Sequence, residues 1–267
     1  MLRLFSSSAA QQTTNPGPSK DRRRSADRLP KFDINCDLGE GEKPARVRAL
    51  MKWITSANVA CGGHAGGVRS MEYCVRQSRG WGVRLGAHPG YWDRENFGRT
   101  SQDITPAELE LLLIQQVSGL EKVAKLGSMR IHHIKLHGAL YHDVERDSGL
   151  ATVYSETVAR YWPKAKIYAT ANGRVKRTAE SNGVTVWEEA FADRAYMSDG
   201  TLVPRNVAGA VLGDPKLVVE RLRGIFRNRK METISGSHIE MAPRTVCVHS
   251  DTPEAVHIAK AISTELG

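Results

Sequence analysis

The first strand pattern of the chain is Asp33-Ile34-Asn35-Cys36-Asp37-Leu38-Gly39-Glu40-Gly41, in which a β-strand runs into a turn between glycines. Successive side chains of a strand point to opposite faces, so Asp33, Asn35 and Asp37 share one face and the apolar side chains between them share the other. Burying carboxylates without partners is costly or forces them to protonate. The polar face must therefore meet a cation, a metal ion or a substrate. The alternative is a solvated edge strand, or an aspartate that caps the next element.

Length and composition set the broad class of the protein. The 267 residues can bury a full-sized core, either as one large α/β domain or as two small ones. No apolar run approaches the roughly 18 to 20 residues that a membrane-spanning helix needs, so we predict no membrane association. The four cysteines lie far apart without a C-x-x-C pair. This spacing argues against a zinc knuckle or a disulfide framework and favours a reducing compartment, which we take to be the cytoplasm.

The net charge of +9 is concentrated at the N-terminus, where residues 1–31 carry seven Arg and Lys against two Asp. Residues 1–30 are also poor in large apolar side chains after Phe5, so we predict a disordered extension followed by a single domain over residues 31–267. The first residues contain Arg and Ser but no acid before Asp21, a pattern that also fits a mitochondrial transit peptide and makes the mitochondrial matrix the alternative location. No stripe of basic and aromatic residues follows, so we predict no nucleic-acid partner.

Strand patterns alternate with helix patterns along the rest of the chain. Thr105-Pro106-Ala107-Glu108 is a capping box that predicts a long helix to about Leu126, and a second helix is predicted over residues 145–161. The alternation predicts parallel βαβ units, as a closed barrel or an open doubly wound sheet. The predicted strands begin at Asp33 and continue at residues 54–61, 83–87, 129–136, 166–169, 184–190 and 244–248.

Polar residues collect where the predicted strands end, which favours the barrel, because barrel enzymes place their sites at the carboxyl ends of their strands. These strand-end residues are Asp37, His64, His88, Lys135, His137, Asp193, Arg194, His249 and Asp251.

His64 and His88 lie in turns rich in glycine and proline. Together with Asp37 or Asp33 they could bind Zn²⁺ or another divalent ion, since two imidazoles and a carboxylate leave open coordination positions. They could equally transfer protons or donate hydrogen bonds to a substrate. The simplest alternative is a structural role.

Lys135 and His137 share one face by the strand period of two. A lysine can polarise a carbonyl and a histidine can carry protons, but Lys135 could instead pair with Asp33 or Asp37 inside the barrel. Arg94 and Arg99 lie in a polar loop that could act as a lid and bind a carboxylate or phosphate, or could be held by internal salt bridges.

Several familiar catalytic motifs are absent from the sequence. It has no G-x-x-x-x-G-K-[ST], no G-x-G-x-x-G after a strand and no G-x-S-x-G. The cysteines have the pattern of core residues, and Cys61 before the glycine turn is the one best placed for chemistry.

Eight motifs fall in the order of a known family. They are Asp33–Glu40, 56–66, 86–89, 96–99, 135–141, 191–194, 202–205 and 246–251. In these motifs the chain resembles the LamB/YcsF family over about residues 31–267. This family includes the A-type component of bacterial ATP-dependent 5-oxoprolinase and the fungal lactam-utilization proteins.

The resemblance implies a distorted seven-stranded parallel β/α barrel, similar to glycoside hydrolase and polysaccharide deacetylase barrels. It also implies cleavage of 5-oxo-L-proline to L-glutamate coupled to hydrolysis of ATP, in a complex with B- and C-type subunits. A divalent metal ion, held by Asp37, His64 and His88, is a further possibility. The alternatives are a metal-dependent deacetylase or amidohydrolase of similar fold, and a non-catalytic structural subunit.

The lactam-opening reaction that the resemblance implies suggests roles for the candidate residues. Phosphorylation of the amide oxygen would activate the lactam, and Asp37 could then act as base for the attacking water. Protons would move through His64, His88 or His137, while Lys135 would neutralise charge. The predicted substrate-binding residues are Asn35, Asn58, Arg94, Arg99, Asp193, Arg194, Arg205, His249 and Asp251.

The sequence departs from the family pattern at several positions. Gly63 stands where the family usually has Phe, and Gly67 stands where it has Asp. Many members have Pro in place of Leu136 and Gly in place of Ser250. If the carboxylate usual at position 67 binds an ion or takes part in catalysis, this chain is altered there.

Overall fold

Seven parallel strands close into a barrel in the computed structural model, which describes residues 32–266. The strands in chain order are β1 Asp33–Leu38, β2 Ser56–Ala60, β3 Arg84–His88, β4 Ile131–Ile134, β5 Lys166–Thr170, β6 Val186–Phe191, β7 Lys230–Glu232, β8 His238–Glu240 and β9 Thr245–Val248. Around the barrel, β1 to β6 follow one another and β9 closes the ring between β6 and β1. The predicted seven-stranded parallel barrel is confirmed. The edge-strand alternative for the first stretch is wrong, because β1 pairs on both sides.

Helices cover the outside of the barrel. The outward side chains of β1, Ile34, Cys36 and Leu38, belong to one apolar core with helix residues such as Leu50 and Leu113. The helices are α1 Pro44–Met51, α2 Val68–Trp81, α3 Pro106–Leu126, α4 Gly138–Arg146, α5 Ser148–Tyr161, α6 Arg174–Ser181, α7 Pro215–Asn228 and α8 Ala255–Glu265. The predicted capping box at the start of α3 is present, with Thr105 accepting from the backbone N–H of Glu108.

The barrel is irregular between β3 and β4, where the strand register shifts between Leu85 and Gly86. The imidazole of His133 lies over Gly86, and a Cβ added there would clash with the ring. A glycine in β3 therefore makes room for a histidine ring inside the barrel, which accounts for part of the predicted distortion.

Two features differ from the sequence predictions. The helix predicted over residues 145–161 is two helices, because Asp147 adopts an extended conformation and its carboxylate accepts from the N–H of Leu150 to cap α5. The two-stranded antiparallel sheet formed by β7 and β8 was not predicted. Three-residue strands are too short to show a clear period-two pattern.

The inside of the barrel is polar where the outside is apolar. Asp33, Asn35 and Asp37 all point inward and are buried, as the alternation in β1 predicts. No helix within residues 32–266 is long and apolar enough to cross a membrane. The predicted disordered extension over residues 1–30, and with it the transit-peptide alternative, lies outside the described residues.

Candidate active site at the carboxyl ends of the strands

The amino end of the barrel interior holds a closed polar cluster around Asp33. Its members, which we call the floor cluster, are Asp33, Thr55, Ser56, Arg84, Tyr168 and Thr245. One oxygen of Asp33 accepts from Thr55 (2.5 Å), Ser56 (2.7 Å) and Arg84 (3.0 Å). The other accepts from Thr245 at 2.7 Å and Tyr168 at 3.1 Å. Five donors thus surround one carboxylate, so Asp33 is structural and lies at the opposite end from the predicted site.

A layer of amides separates the floor from the upper part of the barrel. Asn35 donates to Glu189 at 2.8 Å and to Thr245 at 2.7 Å, and Asn58 donates to Asp37 at 2.7 Å. The oxygen of Asn58 accepts from His133 at 2.6 Å. Both asparagines are fully buried. The two asparagines, predicted to bind substrate, thus orient Glu189 and Asp37 in this structure.

Above the amides, Lys135 lies among three acidic or acidifiable groups. Its ammonium is 3.1 Å from Asp37 Oδ1, 3.0 Å from Glu189 Oε1 and 3.1 Å from Cys247 Sγ. The pairing of Lys135 with Asp37 was one of the predicted alternatives, and Asp33 is excluded as its partner by the floor cluster.

Burial acts against both charges of the Lys135–Asp37 pair, yet the pair keeps them. Burial would raise the pKa of Asp37, but His88 and Lys135 outweigh it and hold this pKa well below its usual range. Burial would likewise lower the pKa of Lys135, but Asp37, Cys247 and Glu189 raise it well above the usual value. The layer therefore contains a carboxylate and an ammonium that both stay ionised at neutral pH.

Four residues at or beyond the ends of four neighbouring strands meet at the mouth of the barrel. This rim cluster consists of Glu40 after β1, His64 after β2, His88 at the end of β3 and His137 after β4. Glu40 Oε1 is 2.9 Å from His64 Nε2, 3.3 Å from His137 Nδ1 and 3.8 Å from His88 Nε2. The rings of His64 and His137 stack with centroids 3.5 Å apart. The convergence predicted for the three histidines is present.

Electrostatics within the rim cluster are dominated by burial and by Glu40. Burial would raise the pKa of Glu40, but the adjacent imidazoles of His137 and His64 bring it well below the usual value. Burial lowers the pKa of His64 to about 4. Burial would also lower the pKa of His88, but the charge of Asp37, whose Oδ1 lies 3.5 Å from His88 Nε2, raises it.

Asp193 and His249 form a separate pair at the same end of the barrel. Asp193 follows β6 and its Oδ1 accepts from His249 Nδ1 at 2.8 Å, while its Oδ2 accepts from Thr252 at 2.6 Å. A ring nitrogen of His249 lies within 4.8 Å of a carboxylate oxygen of Asp37 and of the sulfur of Cys247. The buried carboxylate fixes the tautomer of His249 with the proton on Nδ1, which leaves Nε2 as the reactive nitrogen.

The four arginines predicted to bind substrate divide into two pairs. Arg94 donates to the carbonyl oxygens of Gly62 and Gly66, and Arg194 donates to Val203 and Ala210. These two arginines hold loops together.

The other pair is Arg99 and Arg205, which lie 2.7 Å and 3.6 Å from the single carboxylate of Asp251. Arg99 also lies over the ring of Phe97, whose carbonyl oxygen accepts from His137. Two positive charges share one partly exposed negative charge beside the rim, so this group can accept an additional anion.

Sequence reasoning missed Glu40, Glu189 and Cys247. Glu40 stands between Gly39 and Gly41, both with positive φ, in the very motif that opens the barrel, and that turn was the available signal. Glu189 sits at an inward position of β6, where an acidic residue in a strand pattern was visible. Cys247 rather than Cys61 is the cysteine beside a charged group, since the thiol of Cys61 donates only to the carbonyl oxygen of Val59.

The structure shows the surroundings of two positions at which the sequence departs from the family pattern, Gly63 and Gly67. A Cβ at Gly63 would come within 2.5 Å of the Gly90 oxygen and 2.6 Å of Gln116 Nε2, so the amide of Gln116 fills the space beside this glycine. Gly67 is the N-cap of α2, and a Cβ there would meet nothing within 4 Å. The loss of a side chain at position 63 is therefore compensated by packing, and the space at position 67 stays open.

The fold and the site together define a β/α-barrel protein with an acid–imidazole–lysine site at the carboxyl ends of its strands. The family model described as LamB/YcsF family matches residues 32–267, and the chain belongs to this family. It is 38% identical over 239 residues to the A-type component of 5-oxoprolinase from Heliobacterium modesticaldum, covering 88% of this chain and 94% of the relative.

The structural comparison agrees with the sequence comparison. The crystal structure of a lactam utilization protein from Thermus thermophilus is 30% identical and superposes with a TM-score of 0.80, covering 88% of this chain and 96% of that structure. The expectation of a LamB/YcsF protein is confirmed.

Proposed function

We propose that this protein opens the lactam ring of 5-oxo-L-proline to give L-glutamate, coupled to hydrolysis of ATP, as the A-type component of a multi-subunit 5-oxoprolinase. The observation that carries the proposal is the ionised Lys135–Asp37 pair at the carboxyl ends of the strands, in a chain similar to a 5-oxoprolinase component. About 9% of the Asp37 side chain remains exposed, against 2% for Asp33. Solvent therefore reaches the side chain of Asp37 more than that of Asp33 in the floor cluster.

Asp37 and Lys135 supply the charges that the reaction needs. Amide resonance makes a five-membered lactam a poor electrophile, and transfer of the terminal phosphoryl group of ATP to its oxygen, with release of ADP, would activate the carbonyl carbon. One water would then attack this carbon and the C–N bond would break, leaving an acyl phosphate that a second water hydrolyses to glutamate and phosphate. Asp37 orients the attacking water by accepting its hydrogen bond, while Lys135 neutralises negative charge on the carbonyl or phosphoryl oxygens. Both groups are held by buried partners, so little reorganisation is required during the reaction.

The leaving nitrogen of the opened ring must receive a proton. His249, oriented by Asp193, is suited to this step because its position near Asp37 brings a titratable nitrogen to the reacting group. The predicted substrate-binding role of these two residues is thereby refined to proton transfer. His64, His88 and His137 remain candidates for proton transfer.

The carboxylate of the substrate needs a positive partner. Arg99 and Arg205 are the arginines whose guanidinium groups face a shared carboxylate rather than backbone oxygens. A bound substrate carboxylate would compete with Asp251 for these two side chains. Arg94 and Arg194 would then act by holding the loops around the site.

ATP enters this reaction as a co-substrate, together with B- and C-type partner subunits. The sequence has neither of the phosphate-binding glycine motifs named above, which agrees with an ATP site completed by a partner. We place the complex in the cytoplasm, or in the mitochondrial matrix if the N-terminal extension directs import.

The test is reconstitution. The full-length chain is assayed for glutamate formation from 5-oxoproline and for ATP hydrolysis, alone and with the B- and C-type subunits of the same organism. We expect both products in equal amounts from the complete complex. A complete complex that forms no glutamate would overturn the proposal, and release of acetate from an acetylated oligosaccharide would support the deacetylase alternative instead.

A further inference from the structure

The rim cluster has an unusual arrangement of its ring nitrogens. His88 Nδ1 lies 2.8 Å from the carbonyl oxygen of Lys135, and His137 Nε2 lies 2.8 Å from the carbonyl oxygen of Phe97. A carbonyl oxygen can only accept, so each of these nitrogens carries the proton of its ring. In the neutral rings, His88 Nε2 and His137 Nδ1 therefore present lone pairs.

These two lone pairs face each other. His88 Nε2 and His137 Nδ1 are 3.0 Å apart, and the carboxylate oxygen Oε1 of Glu40 lies 3.8 Å and 3.3 Å from them. His64 brings a third imidazole nitrogen to the same oxygen at 2.9 Å. The lone pairs of His88 Nε2 and His137 Nδ1 repel each other unless a cation lies between them, whereas His64 Nε2 can donate its proton to Glu40 in the neutral ring. The cation can be a proton on one ring or a metal ion shared by all four groups.

We propose that Glu40, His64, His88 and His137 bind one divalent transition-metal ion, of which Zn²⁺ is the representative. Bonds of about 2.0 to 2.2 Å to nitrogen and oxygen place the ligands of a tetrahedral zinc ion roughly 3.3 Å apart. Four of the six separations between the ligand atoms are 2.9, 3.0, 3.3 and 3.8 Å, which lie on either side of this value. Imidazole nitrogen with one carboxylate oxygen is a donor set that suits zinc and its neighbours in the first transition row.

The surroundings of the rim cluster have the form of a built site. Ligating histidines are usually oriented by a carboxylate or carbonyl that accepts their second ring proton, and His88 and His137 both have such an acceptor. The backbone at Gly90 and Gly98 packs closely against His64 and His137. A Cβ at Gly90 would lie 2.7 Å from His64 Nδ1, and one at Gly98 would lie 2.7 Å from the Cβ of His64. The rings are therefore positioned before any ion binds.

Glu40 takes the place that the sequence interpretation gave to Asp37. Asp37 lies 3.5 Å from His88 Nε2, but its Oδ1 is already occupied by Lys135 and Asn58. A second group of potential ligands, Asp37, Cys247 and His249, has the ammonium of Lys135 within 3.1 Å of two of its members. That positive charge repels a metal ion, so the rim cluster is the favoured position.

The chemical role of the ion rests on the proposed function, whereas its binding does not. An ion held at the rim would border the carboxylate of Asp37 through His88 and would present a positive charge to the lactam oxygen or to a phosphoryl group. Metal binding must therefore be tested with a readout other than turnover.

The experiment uses the full-length protein after dialysis against a chelator. Co²⁺ is titrated while the visible absorption of tetrahedral Co²⁺ is recorded, and Zn²⁺ is then added to displace it. We expect one equivalent of Co²⁺ to bind. His137→Ala and Glu40→Gln should weaken binding at least about 100-fold, because loss of a ligand exceeds the 10- to 100-fold effect of losing an outer partner. The matched control is His142→Ala, which removes an exposed imidazole from α4 and should bind as the unaltered protein does.

Circular dichroism of each metal-free variant shows whether it is folded, so loss of binding can be separated from loss of structure. The proposal is overturned if the unaltered protein takes up no saturable Co²⁺, or if folded His137→Ala binds it equally well. A complex that forms glutamate at full rate in chelator while the chain binds no ion would reject the metal centre and leave the proposed function intact. A chain that binds the ion in a complete complex that forms no glutamate would support the metal centre and reject the proposed function.

Discussion

The two ends of the barrel interior treat a buried carboxylate in opposite ways. At the floor, Asp33 accepts from five neutral or cationic donors, four of them hydroxyl groups. At the rim, Glu40 meets imidazole nitrogens whose lone pairs are crowded together, and Asp37 meets an ammonium shared with Glu189. Both ends are polar and buried, so polarity alone does not mark a functional site. The floor is fully satisfied within the protein, whereas the rim is completed by something added to it.

The largest effect is expected at Lys135, which neutralises two buried carboxylates above the floor cluster. Lys135→Met leaves the carboxylates of Asp37 and Glu189 buried without their cation, and breaking a buried pair in this way costs about 3 to 5 kcal/mol. Urea unfolding monitored by circular dichroism measures the loss, and lactam opening should disappear in parallel. A variant of unchanged stability would show that the charges are not coupled.

Asp33→Asn should act on stability alone. The substitution removes the ion pair with Arg84 and leaves hydroxyl donors of the floor cluster without their acceptor, which we expect to cost about 2 to 3 kcal/mol. The rate of glutamate formation per folded molecule should stay within about twofold of the unaltered complex. A large loss of rate in folded protein would contradict the division between floor and rim.

Asp193→Asn tests the pair beside the rim through its pH dependence. Burial opposes the charge of Asp193, but His249 and Thr252 lower its pKa below the ordinary value of 3.8. The ionised form therefore stabilises the fold above that value, and the stabilisation is lost as the pH falls through the folded-state pKa. We expect the variant to be about 1 to 3 kcal/mol less stable at pH 7, with the difference shrinking below about pH 4. Urea unfolding at both pH values gives the comparison, and a difference that does not change with pH would contradict it.

Gly67→Asp should have the smallest effect and the opposite sign. Gly67 is the N-cap of α2 with extended backbone and open space around its Cα, so an aspartate fits and can accept from the first turn of the helix. Replacing glycine by aspartate at an N-cap should gain only a few tenths of a kcal/mol. Thermal unfolding checks the gain. A marked destabilisation would show that the departure from the family pattern is required by packing in this chain.

The contrast between the floor and the rim also shows how much of the site the sequence predicts. The period-two pattern of β1 and the strand-end positions of His64, His88 and His137 predict the convergence, because parallel strands of a barrel all end at one rim. The bonding partners of the inward side chains were less predictable from the sequence. Strand position separates Asp37, near the carboxyl end of β1, from Asp33 at its start, but nothing in the sequence shows that Asp33 bonds to hydroxyls and Asp37 to Lys135. Glu40 was missed because the sequence predicts a turn between Gly39 and Gly41 but not the direction in which the positive-φ backbone there points the side chain between them.

The most direct test of the central claim is glutamate formation by the complete complex carrying Asp37→Asn, with Asp33→Asn as the matched change on the same strand. We expect Asp37→Asn to assemble with its partners but to lose at least about 100-fold in kcat, corresponding to roughly 2.7 kcal/mol of transition-state stabilisation. Full activity of the Asp37→Asn complex would contradict the account, and it would leave the chain as a structural component whose barrel mouth performs no chemistry.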